Sequence, residues 1–375
     1  MNQFFYQIIS RATKMIHLDD YRKRNITNET AFTRNRKLSF PVMIALTLNF
    51  LSRTMQIEID DFFSNVLERK NDAPTKQAFF KARKKIKPDA FSELFQMTRD
   101  MIFENKKIKR YKDYRIFAID GSEFRIDRTK ENAELFKPRG NTSDNKSNAK
   151  ISLLFDVLSN YVIDAQIGSI STNEREYAKN NLEYFSTICD GNDIVIFDRG
   201  YPSKDLIATM SEMKCKYLMR LQDSTFKGIK DTQSNDFRIN IKNGKNTYSA
   251  RIVRVKLNSG ETETLITNIT EKEFKAEDFK TLYFYRWGIE TVYDTLKNKL
   301  LAERFSGKST VAVLQEYYAM MFILNCIAAM SATVERKLAS TKAGCKYRYH
   351  TNVNLMIRYL KYRLSSMLLF KRKAL

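Results

Sequence analysis

The chain is poor in the residues that build metal–thiolate and disulfide frameworks. Its four cysteines, Cys189, Cys215, Cys326 and Cys345, stand far apart with no C-x-x-C pair, and its two histidines, His17 and His350, are as isolated. That spacing excludes the usual zinc patterns and a disulfide scaffold. The opening stretch "MNQFFYQIISRATK" has only a short apolar run before Arg11 and no small-residue cleavage site, so it does not read as a secretory signal. The longest apolar run, residues 317–330, falls short of the roughly 20 residues a bilayer span needs and carries Asn325. It is expected to be a buried helix, with no membrane partner and a cytoplasmic, nucleoid-associated location. Internal repeats and low-complexity segments are absent. The polar stretch "KPRGNTSDNKSNAK", residues 137–150, reads as a loop that orders against a ligand.

What is present is apolar residue and positive charge. With 375 residues, 43% of them hydrophobic and 12% aromatic, the chain can bury a sizeable core, and its length suggests roughly two or three domains. Lys and Arg number 65 against 43 Asp and Glu, a net +22 spread along the chain. From Ser331 onward eleven basic residues face one acid, Glu335. Such a surface attracts polyanions, and nucleic acid is the first partner to consider.

The first hundred residues read as helices. Ser39 and Pro41 are start signals for "PVMIALTLNFLSRT", and "TKQAFFKARKKI" runs from Thr75 until Pro88 stops it. On the latter, Phe79, Ala82 and Ile86 are expected to share a buried face and Lys81, Lys84 and Lys85 a cationic one. That face is either a solvated helix surface or a contact to DNA phosphates. The basic stretch "NKKIKRYKDYR" marks a boundary near residue 110. Short β-branched and aromatic runs follow, and residues 114–120, 150–159, 161–170, 193–198 and 216–222 read as strands. A helix between the third and fourth is expected to open on a capping box of Ser171 and Glu174. Another lies between the fourth and fifth.

Two of these strands end alike, "YRIFAID-G" on Asp120 and "DIVIFD-RG" on Asp198. Asp before Gly is common turn chemistry. Two such aspartates at the C-terminal ends of neighbouring strands in an α/β layer would instead project into the crevice where ligands sit, and paired carboxylates suit Mg²⁺. Further on, "TLYFYRWGIETVYDTLKNKL", residues 281–300, carries an apolar stripe of Leu282, Tyr285, Ile289, Val292, Leu296 and Leu300. Beside it run Tyr283, Arg286, Glu290 and Lys297, at steps of three, four and seven. The plain account is an i, i+4 ion pair between Arg286 and Glu290, worth about 0.2–0.5 kcal/mol. Gly288 weakens that account, because a mid-helix glycine often marks a close approach of another segment.

Asp120 in "AIDGS", Asp198 in "IFDRGYPS" and the pattern Y-x₂-R-x₃-E-x₆-K together resemble the DDE transposases of bacterial insertion sequences, in the IS-four-like subgroup with the YREK signature. The resemblance covers most of the chain. It implies an α/β fold with an RNase H-like catalytic core over residues 111–310. A mostly β insertion is expected at about 224–272, an all-α DNA-binding domain before it (1–110) and a basic helical C-terminal region after it (311–375). It implies that Asp120, Asp198 and Glu290 are catalytic and hold two Mg²⁺ ions, with Mn²⁺ as a substitute, while Tyr283, Arg286 and Lys297 bind DNA phosphates. The implied activity is that of a transposase, a metal-dependent DNA nuclease and strand transferase. It binds the terminal inverted repeats of its element, cleaves the ends by phosphodiester hydrolysis and joins the 3′-OH to target DNA, cut-and-paste through hairpin ends. Double-stranded DNA is the implied partner and a homodimer the implied synaptic form. The only tryptophan, Trp287, lies inside the signature, so a base extruded against the insertion would stack on another aromatic such as Phe226 or Phe237. Two other readings share some of these features: an RNase H-fold nuclease or resolvase without a joining step, and a non-catalytic DNA-binding protein.

Overall fold

A computed structural model of the chain describes residues 3–34, 36–49, 54–137, 146–257, 260–341 and 351–370. Most of the polar loop noted above, together with Cys345 and His350, lies outside them. The elements begin with α1 (Gln3–His17), α2 (Asp19–Arg24), α3 (Phe40–Thr47), α4 (Met55–Asn65), α5 (Lys76–Arg83) and α6 (Asp89–Glu104). Then come β1 (Arg115–Asp127), α7 (Lys130–Phe136), β2 (Lys146–Asp156), β3 (Tyr161–Gly168), α8 (Glu174–Ser186), β4 (Asp193–Phe197), α9 (Lys204–Glu212) and β5 (Lys216–Leu221). Strands β6 (Asp236–Asn243), β7 (Asn246–Lys256) and β8 (Thr262–Thr267) precede α10 (Asp278–Phe284), α11 (Trp287–Asp294) and a π-helical turn (Thr295–Lys299). Helices α12 (Thr310–Thr341), α13 (Val353–Leu360) and α14 (Arg363–Phe370) close the chain. The elements divide into two compact units, one of residues 1–106, 124–149 and 294–375, the other of residues 107–123 and 150–293.

The first unit is helical around α12, which packs on α6, while α14 packs on α1 and α3. Among the described residues α12 is the helix long and apolar enough to cross a bilayer. Here its apolar residues serve as core: Tyr317, Met321, Phe322, Cys326 and Ala329 are buried, and buried Asn325 donates to Thr98 Oγ1 at 3.0 Å. A polar side chain so placed needs such a partner. Helix α5 starts where the sequence indicates, with the Thr75 hydroxyl accepting from the Ala78 N–H at 3.2 Å. Its end and buried face differ from expectation: the helix stops at Arg83 instead of running to Pro88, its buried residues are Phe79 and Arg83 with Ala82 only partly covered, and Ile86 is buried beyond it in a bridge to Ile26. The Arg83 guanidinium donates to Gln315 Oε1 (2.6 Å), Ser306 Oγ (2.7 Å), Glu316 Oε1 (2.7 Å) and the Ala312 carbonyl (3.0 Å).

The second unit is built on the sheet. One eight-stranded sheet runs in the order β3-β2-β1-β4-β5-β8-β7-β6. Strand β1 is parallel to β4 and β4 to β5; the β2–β3 pair and the β5–β8–β7–β6 run are antiparallel. The parallel centre reads as continuous apolar runs because both of its faces are covered, and Ile116–Ile119 and Ile194–Phe197 are all buried. The three insertion strands continue the central sheet beyond β5, a placement their alternation could not reveal. Their β6–β7 hairpin turns through Gly244 at φ +59, a left-handed conformation that favours glycine. Helix α8 opens on Asn173, whose side chain accepts from the Arg175 N–H at 3.0 Å, rather than on Ser171. Glu174 is thereby the first helical residue and not the third of a capping box.

Glu273, in the turn before α10, joins several segments of this unit. Its carboxylate accepts from Lys216 Nζ, from the Thr270 N–H at 2.7 Å and from Tyr114 Oη at 2.8 Å. Burial works to raise this carboxyl, but the Lys216 ammonium and the Thr270 and Tyr114 donors outweigh it and hold it at about 2. The folded value lies below the ordinary glutamate value of about 4.3, so the stabilisation is present above that value and lost as pH falls towards the folded one. Glu273→Gln is therefore expected to cost about 2 kcal/mol near neutral pH, with the gap to wild type closing below about pH 4. Urea unfolding across that range measures it; a gap independent of pH would mean that the carboxylate charge is not its source.

Candidate active site

The two aspartates meet through strand register. Ile119 of β1 pairs with Phe197 of β4 in the parallel ladder, and Asp120 and Asp198 are the next residues of each segment. Side chains just past the C-terminal end of this parallel ladder thus emerge together; β1 itself, expected to end on Asp120, continues to Asp127, so Asp120 lies within the strand while Asp198 directly follows β4. The Asp120 carboxylate accepts from the Gly121 N–H at 2.8 Å, and its backbone carbonyl accepts from Tyr293 Oη at 2.6 Å.

The signature segment brings three of its four residues to this point. It is not one continuous helix: α10 ends at Phe284 and α11 begins at Trp287, with Tyr285 and Arg286 in a turn between them. The break lets α10 and α11 each follow the sheet, and the apolar stripe stays inside on both sides of it, Leu282, Ile289 and Val292 being buried. Gly288 sits at the close approach anticipated from the sequence, for a Cβ there would lie 3.5 Å from Val157 Cβ and 3.7 Å from the Phe155 ring. Tyr283 Oη donates to Asp198 Oδ1 at 3.0 Å. Arg286 donates to Glu290 Oε1 at 2.7 Å and stands 3.8 Å from Asp120 Oδ2. The Arg286–Glu290 ion pair therefore exists, but it forms part of a cluster that also holds Asp120. Lys297 lies in the π-helical turn and belongs to the first unit.

Electrostatics at this point are unfavourable to the Asp120 charge. Burial pushes the Asp120 carboxyl up to about 6, and the neighbouring Asp198 and Glu174 charges push the same way, against the Gly121 N–H and Arg286. Arg286 is 4% exposed, its guanidinium lies 5.6 Å from the Tyr283 ring centre and 5.3 Å from that of Trp287, and its Nε–H has no acceptor. Tyr201, 1% exposed, likewise has an unpartnered hydroxyl. As placed, no three carboxylate, imidazole or thiol groups among the described residues stand close enough to hold a metal ion. The donor chemistry nevertheless fits a hard divalent cation: the donors are carboxylate oxygens, they repel one another, and the positive charge among them now comes from Arg286.

The lysines of α5 are divided by the structure. Lys81 and Lys85 line a cleft of about 850 Å³ together with Arg34, Arg36, Lys37 and Phe32, and Lys37 is paired with Asp72. Lys84 instead lines a separate cavity of about 380 Å³ with Phe80 and Lys308. Lys81 lies in the last turn of α5 and Lys85 in the turn after it, on the same side, whereas Lys84, the C-cap between them, lines the other cavity. Arg34, Arg36 and Lys37 were missed from the sequence, because they lie in an aperiodic segment brought beside α5 by folding. Among the aromatics considered for stacking, Phe237 lies under Arg254 at 5.5 Å, while Trp287 is 53% exposed.

Known proteins agree with this arrangement. The transposase DDE domain profile matches residues 111–326, more than half of the chain. No curated protein matches it. Among solved structures, a piggyBac transposase synaptic complex with hairpin DNA, determined by cryo-EM, superposes with a TM-score of 0.52 at 14% identity, covering 97% of this chain and 81% of that one. At that identity the likeness shows the fold alone, an α/β RNase H-like core with helices at both ends. The profile match, spanning both aspartate-bearing strands and the signature segment, places the chain in the transposase DDE domain family.

Proposed function

We propose that this transposase is of the IS-four-like kind: it binds the terminal inverted repeats of its own element, cuts the ends through hairpins and joins the freed 3′-OH to target DNA, acting as a homodimer in the nucleoid. The observation that carries the reading is the meeting of Asp120 and Asp198 at the register-matched end of the β1–β4 ladder, with Tyr283 and Arg286 bonded onto the same cluster. In this reading Asp120, Asp198 and Glu290 hold two divalent ions, Mg²⁺ or Mn²⁺. When bound, these supply the charge that activates an attacking oxygen and neutralises a leaving one in an in-line displacement. Glu290 has to exchange Arg286 for that role, which frees the guanidinium to take a phosphate in its planar fork. Tyr283 orients Asp198 through its hydroxyl, and Lys297 provides a further phosphate contact.

The test is a labelled duplex carrying one of the inverted repeats that flank the gene, incubated with the protein and Mg²⁺ and resolved on a denaturing gel. A nick, then a hairpin, then a joined product is expected in sequence. Nicking with no hairpin and no joining would favour the plain nuclease.

The cleft on the first unit supports DNA binding by the N-terminal region. Replacing Lys81 and Lys85 with Gln is expected to weaken end binding and to flatten the dependence of log K on log salt by about 0.9 per lost phosphate contact. The Lys84→Gln variant, on the other cavity, separates this groove from general charge. An unchanged slope in the double variant would return the cleft to solvated surface.

A further inference from the structure

Glu174 has been assigned no part in the site, yet its side chain crosses it. A Cβ built on Gly121 would lie 3.4 Å from Glu174 Cγ, and one built on Gly200 would lie 3.6 Å from Glu174 Oε2. These are the glycines that follow Asp120 directly and Asp198 at one remove. Neither has a positive φ, so what they provide here is space: any side chain longer than a methyl at either position would compete with the Glu174 carboxylate. The arrangement is held from the next residue, for Arg175 Nε donates to the Gly200 carbonyl at 3.0 Å and ties the start of α8 to the loop after Asp198.

A second observation points to a missing occupant. The buried Tyr201 hydroxyl has no hydrogen-bond partner, and the carboxylates acting on it are Asp120, Glu174 and Asp198. A buried hydroxyl left unbonded among neighbouring carboxylates leaves a polar gap, as does the orphaned Nε of Arg286, whose guanidinium stands 3.8 Å from Asp120. Glu174, for its part, makes no hydrogen bond or ion pair among the described residues that would account for its position.

We propose that Glu174 is a fourth carboxylate of the cation site, contributing to the shell of a divalent ion held between Asp120 and Asp198, with the Tyr201 hydroxyl bonded to a water of that shell. This rests on the metal-binding reading of Asp120 and Asp198 given above. It goes beyond that reading in adding a donor from α8, outside the two aspartates and the signature segment.

The test measures cation binding directly, on the full chain without DNA, by titrating Mn²⁺ and following the free-ion electron paramagnetic resonance signal. Glu174→Gln is expected to weaken the tighter Mn²⁺ site about tenfold, the lower end of what outer partners of metal sites contribute. Asp120→Asn should weaken it as well, and Glu176→Gln, two residues along the same exposed turn, should not. Thermal melts with and without Mn²⁺ provide a second readout, because a variant that folds but binds weakly keeps its melting temperature and loses the Mn²⁺-dependent rise. Wild-type affinity in Glu174→Gln alongside weakened Asp120→Asn overturns the assignment of Glu174 and leaves the parent site standing. Wild-type affinity in Asp120→Asn overturns the parent site, and this assignment with it.

Discussion

Replacing Asp120, Asp198 or Glu290 with Ala is expected to lower Mg²⁺-dependent cleavage by at least about a thousandfold, roughly 4 kcal/mol of transition-state stabilisation, while binding to transposon-end DNA stays close to wild type. The separation follows from the division of labour in the structure. The aspartates stand where the β1–β4 ladder ends, facing a Tyr hydroxyl and a guanidinium, and the cationic cleft of Lys81 and Lys85 belongs to the other unit. Removing a negative charge from a basic protein cannot weaken its attraction to DNA, so a loss of binding would point to misfolding. Side-by-side gel-shift and cleavage assays measure both quantities. Glu290→Ala has a further signature: Arg286 loses its 2.7 Å partner and keeps only the longer contact to Asp120. Normal cleavage by Asp198→Ala would remove the proposed mechanism altogether.

The largest effect on stability is expected at Arg83, far in sequence from any of these residues. Its guanidinium and the Glu316 carboxylate are 3% and 6% exposed, and the pair is 2.7 Å apart. Removing one member of such a pair leaves the other charge buried without compensation, a loss of about 3–5 kcal/mol. Arg83→Ala also strips hydrogen bonds from Gln315 and from the Ala312 carbonyl. Denaturant unfolding of the first unit should therefore show a large drop in midpoint. The double change Arg83→Met with Glu316→Leu should recover a substantial part, since a well-packed apolar pair of similar volume can replace a buried ion pair. If Arg83→Ala costs less than about 1 kcal/mol, the pair behaves as a surface salt bridge and the burial argument fails. Lys84→Ala, beside it but exposed, is the control.

What the sequence by itself determined was local. Apolar runs leading to Asp120 and Asp198 specified two strands and a carboxylate at the end of each run, because the run is written within a few residues; that β1 passes through Asp120 and Gly121 to Asp127 without turning was not legible there. The apolar stripe of the signature segment specified which side of it is buried, and Leu282, Ile289, Val292 and Leu296 lie inside as its spacing requires. The residues on which the resemblance to the family rested sit on those same elements. Tertiary structure decided everything that depends on which distant segments meet. The insertion strands extend the sheet because β8 pairs with the free edge of β5, a long-range choice that period-two alternation does not encode. Arg83, which reads as one more surface cation of a basic helix, is buried because Gln315, 232 residues away, and Glu316 supply its acceptors. Glu174 reads as a capping residue and comes beside the segments of both aspartates only when two glycines, Gly121 within β1 and Gly200 after β4, leave room for it. Periodicity along an element reports its own faces. Burial of a charge depends on partners that folding brings from elsewhere, and their energies are settled by that geometry.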